Sequence, residues 1–298
     1  MKKALTYINI LFFLCFFTTL AWAQTKVYIS VDMEGVTGAV SGAQLGPSGF
    51  EYQRFREFMT GEVLAAIRGA RAAGATEFLV SDSHGNGQNL LIDRFEKDVQ
   101  IVRSWPRPLG MMGGLDESFD AAIFIGYHTS TANTRGVRAH TFSSATLTDV
   151  RLNGTSVSEA GFNAAIAGHF GVPIVMVSGD DAIVEETRAY VGDVEGAVVK
   201  WATSFHSART LTPAAGCDVI EAAARRAIER VGELEPFRLT GDIELEISFK
   251  NYRQAEILSY LSSVERIDSH SIRYVAKDMV EASMFAQFVN NYQPGLSP

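Results

Sequence analysis

The run Val27-Tyr28-Ile29-Ser30-Val31, followed at once by Asp32-Met33-Glu34-Gly35, most narrows what this chain can become. An almost uninterrupted apolar run of this length reads as a strand buried on both faces, as in a parallel sheet. In a strand, residues two apart share a face. Asp32 and Glu34 therefore point together into the space beyond the strand's carboxyl end, where open α/β sheets hold their ligands. Two adjacent carboxylates repel unless a cation lies between them. The alternative is an inert, solvated acidic loop.

The pattern recurs. Phe55, Phe58, Met59, Val63, Ile67 and Ala70 recur at helical spacing within a helix expected over 51–73, with Gly74 as its stop. Glu77-Phe78-Leu79-Val80 then reads as a strand ending in Ser81-Asp82-Ser83-His84, and Val99-Gln100-Ile101-Val102 as another. Ala121-Ala122-Ile123-Phe124-Ile125 is a further strand, ending in Gly126-Tyr127-His128. Asn153-Gly154 signals a hairpin, and Ser158 caps a helix that opens with Glu159. Val172 to Val177 is one more buried strand. This is an α/β chain, with a mostly parallel sheet and flanking helices. All such strand ends share one edge, so Asp32, Glu34, His84 and His128 converge there.

Beyond about residue 200 the texture changes. An Ala-rich helix from Pro213 and alternating runs at Ile243–Phe249 and Ser271–Val275 suggest a smaller α+β domain. The expected organisation is a leader at 1–23, a catalytic α/β domain at 24–205 and the smaller domain at 206–298. The leader is read from Lys2 and Lys3, the apolar run Ile8 to Leu20 and the small-x-small ending Ala21-Trp22-Ala23. Its cleavage implies a periplasmic or secreted protein, without a membrane span after processing. It also moves the formal charge from −8 to −10, because only the two lysines leave. So acidic a chain is a poor non-specific partner for nucleic acid. Cys217 alone remains, so no internal disulfide forms.

The candidate ligands are Asp32, Glu34, His84, His128 and Glu159. Two imidazoles and three carboxylates suit zinc, and also manganese or cobalt. Five side chains exceed what one catalytic zinc takes, and fit two ions if a carboxylate bridges them; Asp32, deepest on the first strand, is the choice for the bridge. Each residue has a bland alternative. Strand-end histidines are often hydrogen-bonding groups, and Glu159 is favoured by the dipole at its helix start. His140 follows the fourth strand's loop as a sixth ligand, a general acid or base, or a partner of a ligand. Asn163, one turn after Glu159, and Lys200 are candidate substrate contacts. No His-Glu-x-x-His, Gly-x-Ser-x-Gly, phosphate-binding Gly-rich loop or dinucleotide fingerprint is present.

Taken in order, these segments resemble the D-aminopeptidase family of zinc metallopeptidases, some of whose members are described as dipeptide-transport proteins. The resemblance rests on Ser30-Val31-Asp32-Met33-Glu34-Gly35, Ser81-Asp82-Ser83-His84, Gly126-Tyr127-His128, His140 and Ser158-Glu159-Ala160-Gly161-Phe162-Asn163-Ala164. Val177-Ser178-Gly179-Asp180-Asp181, Val199-Lys200 and Asn251-Tyr252-x-Gln254-Ala255-Glu256 extend it over the mature chain. It implies two zinc ions per subunit on Asp32, Glu34, His84, His128 and Glu159, with His140 catalytic. It also implies a homo-oligomer, a ring-shaped decamer, that releases N-terminal D-residues from short peptides. The alternatives are a dinuclear hydrolase of another amide or a phosphoester, and an exported peptide-binding protein without catalysis.

Overall fold

The buried runs become strands whose order sets up a ligand site. The structure, a computed structural model, describes residues 25–292; the expected leader lies outside the described residues. In chain order the strands are β1 (Thr25–Val31), β2 (Ala75–Asp82), β3 (Val99–Val102), β4 (Ala121–Tyr127), β5 (Leu147–Leu152) and β6 (Thr155–Ser156). They continue with β7 (Ile174–Asp180), β8 (Glu195–Ser204), β9 (Ser207–Thr210), β10 (Ile243–Phe249), β11 (Val264–Arg266) and β12 (Ser271–Ala276). One sheet has the order β3-β2-β1-β4-β7-β8-β9 and is parallel except for β9. The other, β11-β12-β10-β5-β6, is antiparallel. The helices are α1 (Gly42–Leu45), α2 (Tyr52–Ala72), α3 (Glu159–His169), α4 (Asp181–Val191), α5 (Pro213–Glu229), α6 (Tyr252–Leu258) and α7 (Met279–Asn291).

Burial on both faces explains the apolar runs. Val27, Ile29 and Val31 of β1 join Met59, Val63 and Ile67 of α2 and Ile220 and Ala224 of α5 in one core. Tyr28 and Phe124 face the opposite way, into a core shared with Phe162 of α3 and Leu245 and Ile247 of β10. The mixed α/β architecture with a mostly parallel sheet is therefore as the sequence implies. The Asn153-Gly154 hairpin forms with both residues at positive φ, 48° and 80°, as a type I′ turn requires.

The strand pairing does not follow the division expected at residue 205. The β5–β6 hairpin leaves the first sheet, and β5 pairs with β10, Leu152 opposite Leu245. Only one face of β5 is apolar, through Leu147, Val150 and Leu152, and the second sheet buries it. In the other direction, α5 lies against α2 and β8 of the first sheet. A Cβ on Gly69 of α2 would stand 2.1 Å from the Glu221 carbonyl oxygen of α5, so this contact needs glycine. The sequence pattern also leaves α4, β8 and β9 unmarked. β9 is the edge strand and β8 its neighbour, both with mixed burial, which blurs the apolar signal.

From β1 the chain winds outward to β2 and β3, then returns to place β4 on β1's other side before continuing to β7 and β8. The winding reverses between β1 and β4, the switch point where such sheets bind ligands. Two glycines allow the strand ends to meet there. The Gly35 amide donates to the Gly126 carbonyl at 2.7 Å, and a Cβ on Gly35 would lie 2.1 Å from the Tyr127 carbonyl oxygen. Gly126 itself has φ 68°, and a Cβ there would meet the Asp32 carbonyl oxygen at 2.2 Å.

Gly126→Ala is expected to destabilise the protein by at least the roughly 1–3 kcal/mol of a non-glycine residue at positive φ, with a further cost from the Asp32 clash. Urea unfolding monitored by circular dichroism measures it, and an unchanged midpoint would refute the argument.

Candidate metal centre

Asp32, Glu34, His84, His128, His140 and Glu159 all line one cavity of about 390 Å³ at the β1–β4 switch point. β1 delivers the acidic pair, the turn after β2 delivers His84, the end of β4 delivers His128, and the first turn of α3 delivers Glu159. All six are buried.

Each imidazole is fixed through the nitrogen remote from the carboxylates. His84 Nε2 lies 2.6 Å from the Leu45 carbonyl oxygen at the end of α1. A carbonyl only accepts, so Nε2 carries the proton. Nδ1 then faces Asp32 Oδ1 at 2.9 Å and Glu34 Oε2 at 2.8 Å. The His84 turn is braced by Asp82, whose Oδ2 accepts from the Asn89 and Leu90 amides, while Asn89 Nδ2 donates to the His84 carbonyl. His128 repeats the arrangement in mirror fashion. Nδ1 donates to the Thr129 carbonyl at 3.1 Å, and Nε2 faces Asp32 Oδ2 at 3.2 Å and Glu159 Oε2 at 3.4 Å. Asp32 thus turns one oxygen to each imidazole.

Asp32 Oδ2, Glu34 Oε2 and His128 Nε2 are buried without a hydrogen-bond partner. Buried polar atoms are nearly always paired, so three orphans converging on one point call for a cation. The ligand atoms of Asp32, Glu34 and His128 all lie within 4.8 Å of one another, as do those of His128, His140 and Glu159. Ligands around a tetrahedral zinc at about 2.0 Å stand about 3.3 Å apart, and the approaches of 2.8 to 3.4 Å match that spacing.

The electrostatics agree. Burial raises the Asp32 carboxyl, and the neighbouring Glu34 charge raises it further, against the pull of both imidazoles. Burial also works against a charged Glu34, yet His84 and the other imidazoles outweigh it and hold Glu34 well below the usual carboxylate range. Burial disfavours charged His84 and His128, but Glu34 and Asp32 around the first and Glu159 and Asp32 around the second lift both well above an ordinary histidine.

His140 differs. Its ring stacks on His128 with centroids 4.0 Å apart and planes 7° from parallel. Burial lowers its pKa, and the adjacent His128 lowers it further. Nδ1 donates to the Arg138 carbonyl at 2.7 Å, which leaves a neutral ring with its lone pair on Nε2. The loop that carries it is tied to Glu159, whose Oε1 accepts from the Phe142 amide at 2.7 Å. Arg138 and Phe142, flanking His140, both adopt positive φ, 58° and 59°.

The two expected substrate contacts lie elsewhere. Lys200 is fully buried on β8 beneath the acidic loop. Its Nζ donates to the carbonyls of Glu34, Val36 and Ala39, so the ammonium points into the framework and away from the cavity. Asn163 is also buried. Its Nδ2 donates to the Tyr127 hydroxyl at 2.9 Å, and that hydroxyl donates to Ser30 Oγ at 2.7 Å, in a polar chain under the cavity floor. The cavity wall instead includes Trp105, Met111 and Phe142, with Gln287, Asn290 and Asn291 of α7. The three amides sit at i, i+3 and i+4, one face of a helix. That stripe, polar on a largely apolar segment, is the signal the sequence held for them. Trp105 is held by its Nε1 bond to the Gly85 carbonyl at 2.7 Å and by the Arg107 guanidinium 3.8 Å from its ring centre.

Comparison with known proteins identifies relatives of this architecture. A family model described as D-aminopeptidase matches residues 25–288. The D-aminopeptidase of Bacillus subtilis (strain 168) is 33% identical over 261 residues, 86% of this chain and 93% of that protein. A solved structure, described as the Zn-dependent D-aminopeptidase DppA from Bacillus subtilis, a self-compartmentalizing protease, superposes with a TM-score of 0.85 at 31% identity. It covers 91% of this chain and 100% of its own. The donor set found here, imidazole nitrogens and carboxylate oxygens with orphaned atoms turned inward, fits zinc.

Because the facing carboxylates raise the pKa of His84 and His128 above that of an ordinary histidine, zinc competes with protons for their inward nitrogens. Zinc binding is expected to release protons and to weaken as pH falls. Calorimetric titration in buffers of different ionisation enthalpy checks this; proton-independent binding would contradict the site described.

Proposed function

Since this chain belongs to the D-aminopeptidase family, a family of peptidase hydrolases with a zinc-dependent member of the same fold, we propose that it is a dinuclear zinc aminopeptidase that releases N-terminal D-residues from short peptides. The observation that carries the reading is Asp32, with Oδ1 toward His84 and Oδ2 toward His128. A carboxylate so placed can serve two ions at once, which an imidazole nitrogen cannot. Asp32, Glu34 and His84 would hold one ion, and Asp32, His128 and Glu159 the other. Bound there, zinc supplies Lewis acidity toward a carbonyl and acidifies water.

The chain's own residues do the rest. His140, neutral and bearing its lone pair on Nε2, takes a proton from the attacking water and returns it to the leaving amine. The Arg138 carbonyl keeps that tautomer through the cycle. Trp105, Phe142 and Met111 give the cavity an apolar wall for a side chain and limit access of bulk water. Gln287 and Asn290 offer neutral groups to the peptide backbone. Among the described residues, neither Lys nor Arg lines the cavity, which weighs against a phosphoester, whose charge is usually met by such groups.

The relative's self-compartmentalizing description supports a homo-oligomer here as well. Met284, Phe288 and Tyr292, on or just after α7, are 52%, 40% and 60% exposed and are surfaces available for such association. The N-terminal pattern supports a periplasmic or secreted location, where short D-residue peptides from cell wall are a fitting substrate class.

Chelator dialysis should abolish hydrolysis of D-alanyl peptides, and zinc should restore it with two ions per chain by elemental analysis. L-alanyl peptides should be cleaved more slowly. Asp32→Ala should lower kcat/KM by more than about 100-fold, beyond the 10–100-fold of a residue that merely supports a ligand. His140→Ala should lower kcat by about 100- to 10,000-fold with zinc content unchanged; loss of an ion instead would make it a ligand. Full turnover after chelation would overturn the reading.

A further inference from the structure

Residues 34–39, which carry half of the acidic pair, form a loop of tight turns, Val36 to Met33 and Ala39 to Val36, and three of their carbonyls turn inward toward one point. There Lys200 Nζ contacts the carbonyl oxygens of Glu34, Val36 (3.1 Å) and Ala39 (2.6 Å). Three acceptors need three hydrogens, which an ammonium has and a neutral amine lacks. From the other side, Glu62 of α2, 1% exposed, accepts from the Thr37 amide at 2.8 Å and the Thr37 hydroxyl at 2.6 Å. A lysine from β8 and a buried carboxyl from α2, which burial pushes up to about 7, thus hold the same six residues, Lys200 at 34, 36 and 39 and Glu62 at 37. Neither group lines the cavity.

We infer that Lys200 acts as a built-in cation that positions the Glu34 loop for metal binding, with Glu62 as its counterpart through Thr37. Without the ammonium, three carbonyl dipoles aim at one another across a dry space, and the loop turns away to relieve them. Glu34 then leaves its place beside His84. Lys200 is a positioning residue: it touches neither substrate nor ion, and it acts on the geometry of Glu34. The inference rests on the reading that this site binds zinc.

The test is zinc affinity, measured with zinc alone by competition against a chromophoric chelator, on the purified chain and its variants. Lys200→Ala should weaken zinc by roughly 10–100-fold, the range for a group that orients a ligand. Methylammonium chloride, which can refill the vacated carbonyl cage, should restore most of the loss, and sodium chloride at equal ionic strength should not. Thr37→Val, nearly isosteric and leaving Lys200 in place, should weaken zinc in the same direction by a smaller factor, and it decides the matter if Lys200→Ala does not fold. Variants that bind zinc with the wild-type constant would overturn the inference, as would a Lys200→Ala defect indifferent to methylammonium. If the wild-type chain binds no zinc, the reading of the site fails instead.

Discussion

Like charges gathered out of water repel strongly, and every element around the cavity bears on that fact. Three carboxylates occupy one buried volume at the β1–β4 switch point, and desolvation alone would protonate them. Facing imidazoles keep two of the three ionised. The parallel sheet supplies the rigidity for this. Its strands are covered on both faces, so their ends cannot relax outward without opening a core. The glycine contacts at Gly35 and Gly126 bring β1 and β4 closer than side chains would permit. A cation bound there would stabilise what the framework has forced together.

Backbone carbonyls do much of the fine adjustment. The carbonyls of Leu45, Thr129 and Arg138 each accept a hydrogen bond from one histidine and so decide which nitrogen faces the cavity. In His84 the free nitrogen is Nδ1, and in His128 and His140 it is Nε2. The glycine-rich segment after β1 forms α1 behind a Ser41–Gln44 capping box, and the helix's last residue, Leu45, presents the carbonyl that orients His84. The same logic extends to Glu159, which turns one oxygen to His128 and uses the other to hold the loop bearing His140.

The parts of the fold that repeat a simple period were legible in the sequence. Buried parallel strands announce themselves as apolar runs, and α2 and α3 by their stripe or cap. Convergence of Asp32, Glu34, His84 and His128 followed from strand ends sharing an edge, without any contact being known. Glu159 and His140 were candidates by residue type and position, but only the family resemblance gave them definite roles, because nothing local distinguishes a ligand from a helix-start carboxylate or a loop histidine. Lys200 shows the limit most clearly. A lysine in a strand reads as a surface or substrate group, and only the fold reveals three carbonyls around its ammonium. The hairpin β5–β6 was legible as a hairpin, but its partner β10 lies 91 or more residues away in the Asn153–Glu244 contact, and local pattern carries no such information. Trp105 and the α7 amides were missed for the same reason.

The wall of the cavity draws on residues from Asp32 near the start of the fold to Asn291 at the end of α7. A ribosome makes these in order. The switch-point cluster can assemble once α3 is out, but the enclosure waits for the last helix. A chain made only as far as α3 therefore owns the candidate ligands before it owns the wall that α7 supplies. The cavity wall is thus completed only after α7 is made, and the order of the sequence itself acts as a timer.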